Sequence, residues 1–311
     1  MERKLGKATR DAYGEALVQL GAMNPQVVAL DADLSKSTKS VLFSEKFPDR
    51  FFNVGIQEAN LVGVAAGLAS CGKIPFISSF ASFLISKGFD QFRMSVAFSQ
   101  LHVKVVGSHG GITVGEDGAS QMSIEDVALM TSLPGFSVIV PSDEISTTAL
   151  VLEAAKHDGS VYIRTGRPKA PIVHTAGTDF KIGRGVRLRD GKDLTIVANG
   201  FEVFEALEAA ERLSDEGVSA SVIDMHTVKP LDTELLLQEA KKTGRILVAE
   251  EHQIWGGLGS AVATFLSQKH PCKIGYVAIQ DTFAESGKGE ELLEKYGLTS
   301  PYLVRAAKKL L

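Results

Sequence analysis

The sequence predicts an α/β protein that contains mostly parallel β-sheets. Short runs rich in β-branched residues alternate with longer segments of helical period, which is typical of parallel sheets with crossover helices. The alternation stops near residues 168–192 and then resumes. Because the chain has 311 residues, more than one ordinary core needs, we expect two domains.

The first part of the chain contains six candidate strands. They are residues 27–30, 51–54, 74–77, 103–106, 138–140 and 161–163. Between the second and third of these, residues 57–70 have a helical period, with Leu61, Ala65 and Leu68 on one side. The small residues Gly63 and Gly67 would permit close packing, so we expect this helix to be largely buried.

A linker is predicted between the two domains. Residues 168–192 contain prolines, glycines and scattered charges without a clear period. We place a first domain at 1–168, the linker at 169–190 and a smaller α/β domain at 191–311. Candidate strands in the last part are residues 194–198, 220–224, 246–249 and 274–277.

The charge and the cysteine content of the sequence indicate which kinds of ligand and cellular location to expect. The net charge of −4 provides no basic field for nucleic acid or anionic lipid, so a small-molecule ligand is favoured. Cys71 and Cys272 lack metal-ligand spacing and are expected to be reduced thiols. The first residues have no apolar signal core, and no run of about 18 apolar residues occurs, so the cytoplasm is the expected location and no membrane contact is expected.

Glu58 is a candidate catalytic carboxylate. It follows a predicted strand and opens an apolar helix, where the helix dipole favours a negative charge. An ordinary acidic residue of a first helical turn would fit the same position. Its apolar and small neighbours predict a partly desolvated carboxylate, which suits proton-sharing chemistry.

The glycine-rich loop at residues 108–121 is a second candidate. It follows a predicted strand, and ligands of open α/β sheets bind beyond the carboxyl ends of strands. His109 would lie there, although a packing or surface role fits it as well. Phe80 and Phe83, three residues apart on a predicted helix, could present a ring to a ligand or pack in the core. Candidate anion contacts are Arg10, Arg164 and Arg167.

Read in order, these segments resemble the transketolase family over essentially the whole chain. The matching motifs begin at residues 8–11 and 31–34 and continue through 55–60, 78–83, 108–118 and 141–143. Residues 223–232 are similar to the signature of the family's C-terminal domain. The resemblance implies a thiamine-diphosphate pyrimidine-binding domain with a mostly parallel sheet, followed by a smaller α/β transketolase C-terminal domain.

The resemblance also implies roles for individual residues. Glu58 would hydrogen-bond the ring nitrogen N1′ of the aminopyrimidine of thiamine diphosphate, Phe83 would stack on that ring with Phe80 beside it, and Asp33 would lie near the thiazolium. The residues implied to bind the sugar phosphate are His109, Asp117, Gln121, Arg10, Ser37 and Arg167, with a one-residue gap in the match at the last.

Two positions depart from the family pattern. Gln121 stands where many members have a histidine that touches the donor sugar, which leaves donor preference open. Ser86 or Lys87 stands where the family often has a further aromatic residue, so this part of the pocket is expected to differ.

The family's diphosphate motif, Gly-Asp-Gly followed by Asn, does not occur in the sequence. The resemblance therefore implies a split transketolase of the pentose phosphate pathway, with no metal ligand in this chain. A transketolase N-terminal subunit would hold most of the contacts to Mg²⁺ and the diphosphate. Two copies of each half would form a heterotetramer that is active on sugar phosphates only when both subunits are present.

Other functions fit parts of the pattern. The β subunit of a 2-oxo acid dehydrogenase shares the two-domain layout, and 1-deoxyxylulose-5-phosphate synthase shares the loop type. A non-catalytic module that only binds a partner would retain the fold as well. The loop at residues 115–118 favours the sugar-phosphate branch.

Overall fold

The computed structural model describes residues 3–311 and confirms the predicted α/β class. The strands are β1 (Leu5–Ala8), β2 (Val27–Asp31), β3 (Phe51–Asn53), β4 (Ile74–Phe80), β5 (Lys104–Ser108), β6 (Phe136–Ile139), β7 (Ser160–Arg164), β8 (Lys169–Pro171), β9 (Val186–Arg189), β10 (Leu194–Ala198), β11 (Ala220–Asp224), β12 (Thr227–Lys229), β13 (Arg245–Gln253) and β14 (Lys273–Ile279). The helices are α1 (Thr9–Met23), α2 (Ser35–Thr38), α3 (Val41–Lys46), α4 (Glu58–Ser70), α5 (Ala81–Gln91), α6 (Asp126–Ser132), α7 (Glu144–Lys156), α8 (Glu202–Asp215), α9 (Thr233–Thr243), α10 (Leu258–Lys269), α11 (Gly289–Lys295) and α12 (Ser300–Leu310). None of these helices has both the length and the apolar character needed to cross a bilayer.

The larger sheet carries the candidate site. Within residues 3–311 its strand order is β12-β6-β7-β5-β4-β2-β3, and every pair except β12 with β6 is parallel. All residues of β2 and β5 are buried, which explains the apolar run at residues 27–30 in β2 and the adjacent valines at residues 105 and 106 in β5. The parallel order brings the carboxyl ends of β2, β4 and β5 to one edge of the sheet.

The smaller sheet has the order β14-β13-β10-β11-β9 in the described part of the chain. The predicted linker at 169–190 contains two strands. β8 pairs with β1, and β9 pairs antiparallel with β11. β12 lies in the C-terminal part of the chain but joins the larger sheet through β6. The short segment between β11 of the smaller sheet and β12 of the larger sheet thus connects the two sheets. The predicted domain boundaries stay a prediction.

Helix α4 differs from the expectation that it is largely buried. Leu61, Val62 and Ala65 are buried against the larger core, whereas Gly63 and Gly67 are exposed. A Cβ atom added at either glycine would meet nothing within 4 Å. The small residues therefore face outward in this chain, and the prediction of a largely buried helix was wrong.

Candidate active site

The candidate site residues follow the carboxyl ends of neighbouring strands. Phe80 ends β4 and lies opposite Ser108, the last residue of β5. His109 follows immediately, and Glu58 begins α4 soon after β3. The edge at which the parallel strands end is where open α/β sheets bind ligands.

The Glu58 carboxylate is buried at the first position of α4, with 3% of its surface exposed. The ammonium group of Lys87 on α5 lies 3.3 Å from each of its two oxygens. The sequence predicted the placement of Glu58 but not this partner. The Lys87 side chain is half exposed, so the buried carboxylate is approached from the solvent side.

Close packing of α4 and α5 places these two groups together. Gly88 is buried, and a Cβ atom added there would lie 3.0 Å from Cγ2 of Val62 and 3.7 Å from the backbone oxygen of Glu58. A larger residue at this position would push the helices apart. Gly88 therefore allows α5 to present Lys87 to Glu58.

Three rings are stacked beside the carboxylate. The centroids of Phe80 and Phe83 are 5.5 Å apart with an interplanar angle of 19°. Phe80 also stacks on His109 at 3.8 Å and 24°. The ammonium nitrogen of Lys87, one helical turn beyond Phe83, lies 4.6 Å from the Phe83 centroid. Both phenylalanines thus belong to the site rather than to the centre of the core.

His109 is neutral and its tautomer is defined by its neighbours. Its Nε2 lies 3.1 Å from Nη1 of Arg10, and because a guanidinium only donates, Nε2 is the acceptor. Its Nδ1 then carries the proton and donates to the Ser108 hydroxyl at 2.8 Å. Burial, with the nearby charges of Arg10 and Arg167, lowers the pKa of His109 to about 3.

Arg10 connects α2 to the histidine. Its Nη1 also donates to the backbone oxygen of Ser37 at 3.1 Å. Its Nε is buried and has no hydrogen-bond partner within residues 3–311. Since a buried guanidinium donor without a partner is costly, this nitrogen suits an anionic or hydroxyl ligand.

Other predicted residues surround this cluster. Arg167 donates to the backbone oxygen of Val114 at 2.6 Å and lies 3.5 Å from the carboxylate of Asp117. The backbone oxygen of Gln121 accepts a hydrogen bond of 3.1 Å from Ser82, which ties the loop to α5 between the two phenylalanines.

Within the described part of the chain, Asp33 has no hydrogen bond to the cluster around His109 and contacts Asn53 instead. It is exposed and accepts a hydrogen bond of 2.9 Å from Asn53. Its neighbour Asp31, which the sequence did not single out, is fully buried and accepts from the backbone nitrogen of Leu34 and the hydroxyls of Thr38 and Ser40. Burial raises the pKa of Asp31 to about 6. Asp31 thereby holds the turn that carries Asp33 and Ser37.

Arg164, considered above as an anion contact, has a structural role. It is buried, and its two terminal nitrogens donate to the backbone oxygens of Ser123 and Glu251 at 2.7 and 2.8 Å. Its Nε lies 3.3 Å from the carboxylate of Asp126. These contacts join β7 to β13, so the guanidinium is not available to a ligand.

Two family models match the chain. The model described as transketolase, pyrimidine binding domain, matches residues 6–172, and the one described as transketolase, C-terminal domain, matches residues 183–302. The chain belongs to the transketolase family.

Relatives include both half-length and full-length proteins. A putative transketolase C-terminal section from Methanocaldococcus jannaschii is 44% identical over 94% of this chain and 92% of its own length. A 6-deoxy-6-sulfo-D-fructose transketolase subunit from a Clostridium species is 44% identical over 96% of this chain and 92% of its own length. Human transketolase is 39% identical over 98% of this chain, which spans 49% of that protein.

Solved structures show the same fold. A chain described as a split gene transketolase, inactive beta4 tetramer, superposes with a TM-score of 0.90 at 50% identity and 98% coverage of both chains. A transketolase from Campylobacter jejuni has a TM-score of 0.84 at 24% identity, and 46% of that chain is covered. The second likeness supports the fold alone.

Proposed function

We propose that this chain is the C-terminal subunit of a split, thiamine-diphosphate-dependent transketolase that moves a two-carbon ketol unit from a ketose phosphate to an aldose phosphate. The observation that carries the proposal is the buried Glu58 carboxylate, whose partner Lys87 also lies over the ring of Phe83. The coverage supports a split enzyme, because the chain spans 92% of a C-terminal section but 49% of human transketolase.

The side chains fit an aminopyrimidine. Such a ring needs an acceptor for a ring N–H and an aromatic face for stacking. Glu58 supplies the acceptor and Phe83 the face, and the Lys87 ammonium contacts both, so a single group can reach them together. Thiamine diphosphate, when bound, supplies the carbanion chemistry that breaks and forms the bond beside a ketose carbonyl.

The chain's own residues have distinct roles in this proposal. Glu58 holds a proton at the ring nitrogen N1′ of the pyrimidine, and Phe83 and Phe80 exclude water from that side. Asp33 lies toward the thiazolium end. His109 is assigned with Glu58 as catalytic and orients a sugar hydroxyl, which would replace Arg10 as the donor to its Nε2.

Sugar phosphate binding is assigned to the surrounding polar residues. The phosphate would contact the buried Nε of Arg10, together with Ser37 and Arg167. Asp117 and Gln121 would contact sugar hydroxyls. Gln121 leaves the identity of the donor sugar open. A panel of ketose phosphates, tested together with the sulfonate 6-deoxy-6-sulfo-fructose that the name of the Clostridium relative suggests, would identify it.

A partner subunit and self-association complete the proposal. The partner, a transketolase N-terminal subunit, would hold Mg²⁺ and the diphosphate, and two copies of each chain would form the active heterotetramer in the cytoplasm, within the pentose phosphate pathway. The split-gene neighbour, which is described as a beta4 tetramer, supports self-association of such chains. Co-purification from the native host followed by mass spectrometry would identify the partner.

Glu58→Gln tests the catalytic assignment. It retains the size of the side chain but removes the carboxylate, so we expect ketol transfer by the reconstituted enzyme to fall at least about 100-fold, the scale of general acid–base catalysis. A coupled assay of aldose phosphate release measures the rate, and size-exclusion chromatography verifies assembly. Transfer at the wild-type rate in an assembled enzyme would contradict the proposal and favour a non-catalytic module.

A further inference from the structure

Lys87 makes the two contacts that the proposed cofactor needs. Its ammonium lies 3.3 Å from both oxygens of Glu58 and 4.6 Å from the centroid of Phe83. A bound aminopyrimidine would make the same two contacts: it would donate a hydrogen bond to the carboxylate and lie over the same ring. Because the ammonium lies against both oxygens of Glu58 and over the ring of Phe83, an aminopyrimidine that makes both contacts would have to displace it.

We propose that Lys87 is an internal competitor for the pyrimidine subsite, which it leaves when an aminopyrimidine binds. The proposal rests on the proposed function, because it takes Glu58 as the pyrimidine-binding carboxylate. Lys87 thereby sets the affinity of the subsite, although it does not take part in the transfer.

The burial of the two partners makes the competition effective and reversible. Glu58 is 3% exposed, so an ionised carboxylate there requires a hydrogen-bond donor. Lys87 has 51% of its side chain exposed, and its flexible stem can swing into solvent without unfolding α5. The ammonium compensates the buried charge, and its release is offset when another donor, such as the ring N–H of an aminopyrimidine, takes its place on Glu58.

The geometry of α5 explains why a lysine at this position reaches the subsite. Phe83 and Lys87 are four residues apart and share a helix face. Gly88 lets this part of α5 approach Glu58. A π-helical segment, Phe92–Ala97, follows α5 directly, and such segments are frequent at functional sites.

The contact itself can be tested on the full chain without cofactor. Acetylation by an N-hydroxysuccinimide ester requires the amine to leave its hydrogen-bond partners, so Lys87, held by both oxygens of Glu58, should react slowly in the wild type. Glu58→Gln should accelerate its acetylation about three- to tenfold, while exposed Lys241 on α9 reacts at an unchanged rate. Peptide mass spectrometry measures both rates, and equal Lys87 rates in wild type and Glu58→Gln would overturn the proposal.

The competition is tested with hydroxymethylpyrimidine, the pyrimidine half of thiamine, titrated into the full chain by NMR. Lys87→Ala should tighten binding about three- to tenfold, Lys87→Arg should remain near the wild type, and Lys241→Ala is the matched control. Unchanged or weaker binding by Lys87→Ala, with binding still lost in Glu58→Gln, would overturn the competition and leave the proposed function intact. Binding that does not depend on Glu58 would overturn both. No binding by any variant would overturn the competition alone, because the proposed function assigns the complete cofactor site to the assembled enzyme.

Discussion

His109 is maintained as a neutral hydrogen-bond acceptor by Arg10 on one side and Ser108 on the other. Burial and the charges of Arg10 and Arg167 disfavour the imidazolium and lower the pKa of His109 from 6.5 to about 3. An acceptor nitrogen therefore faces Arg10 throughout the physiological pH range. The lowered pKa of His109 also affects stability.

The lowered pKa of His109 predicts that the native state loses stability as the pH falls below 6.5. Between pH 6.5 and about 3 the unfolded chain binds a proton at His109 that the native chain does not bind. The stability that the wild type owes to this residue is complete above pH 6.5 and is lost as the pH falls toward 3. We expect His109→Asn to lack this loss, which is on the order of 1 kcal/mol over the first pH unit below 6.5.

Urea unfolding of the wild type and of His109→Asn at several pH values measures the difference. His102 is a suitable control position, because its side chain is half exposed beside Asp158. His102→Asn, the same substitution at this position, is measured alongside. A wild-type and His109→Asn difference that is constant from above pH 6.5 to about one unit below it would contradict the prediction.

Sequence reasoning placed single residues correctly where the signal was local. Glu58 at the start of a helix and His109 after a strand follow from patterns of a few residues. The contact of Lys87 with Glu58 depends on how closely two helices pack, which a single sequence pattern does not specify. The sequence did place Lys87 four residues after Phe83, a spacing that brings two side chains to the same face of a helix.

Helix α4 shows how an element can be predicted while its packing is not. Its period predicts a helix, and Leu61 and Ala65 are buried as the pattern requires. Gly63 and Gly67 were expected to permit close packing in a largely buried helix, yet both are exposed. The proposed self-association gives these glycines a reason, because small residues permit close approach of another chain.

Gly67→Leu tests this face. A Cβ atom at Gly67 meets nothing within 4 Å, so the isolated chain should fold normally, and helix propensity alone should favour leucine by up to about 1 kcal/mol. If another chain packs here, the larger side chain should shift the chain toward smaller species in light scattering.

Two variants provide the matched comparison for Gly67→Leu. Ser214→Leu places the same side chain at an exposed position of α8 and should leave the assembly unchanged. Gly67→Ala should fall between the wild type and Gly67→Leu. An assembly that tolerates Gly67→Leu as well as it tolerates Ser214→Leu would exclude α4 from the interface.

The connection between the two sheets was the least predictable feature of the whole molecule. The strands that the sequence missed, β1, β8, β9 and β12, have three or four residues each and are stabilised by partners far away in the chain. Each of these strands is short and contains a lysine or an arginine, so none of them shows an apolar run in the sequence. The strands of the two sheet centres were predicted because complete burial imposes continuous apolar runs.

Arg164 makes the stability of the two sheets interdependent. It ends β7 of the larger sheet and donates to the backbone oxygen of Glu251 in β13 of the smaller one, while its charge compensates the buried Asp126. Arg164→Met removes both contacts and leaves Asp126 as an uncompensated buried charge, which should cost about 3–5 kcal/mol. Differential scanning calorimetry should show one transition for the wild type and a lower transition, broadened or split, for the variant.

The double variant Asp126→Asn with Arg164→Met separates the two contributions. It removes the buried charge together with its partner, so it should recover part of the loss, as replacing both members of a buried pair often does. The backbone oxygens of Ser123 and Glu251 still lack the guanidinium, so the connection between the sheets should stay weak and the calorimetric transition should remain broad. A single sharp transition at the wild-type temperature in Arg164→Met would show that strand pairing through β12 alone couples the sheets.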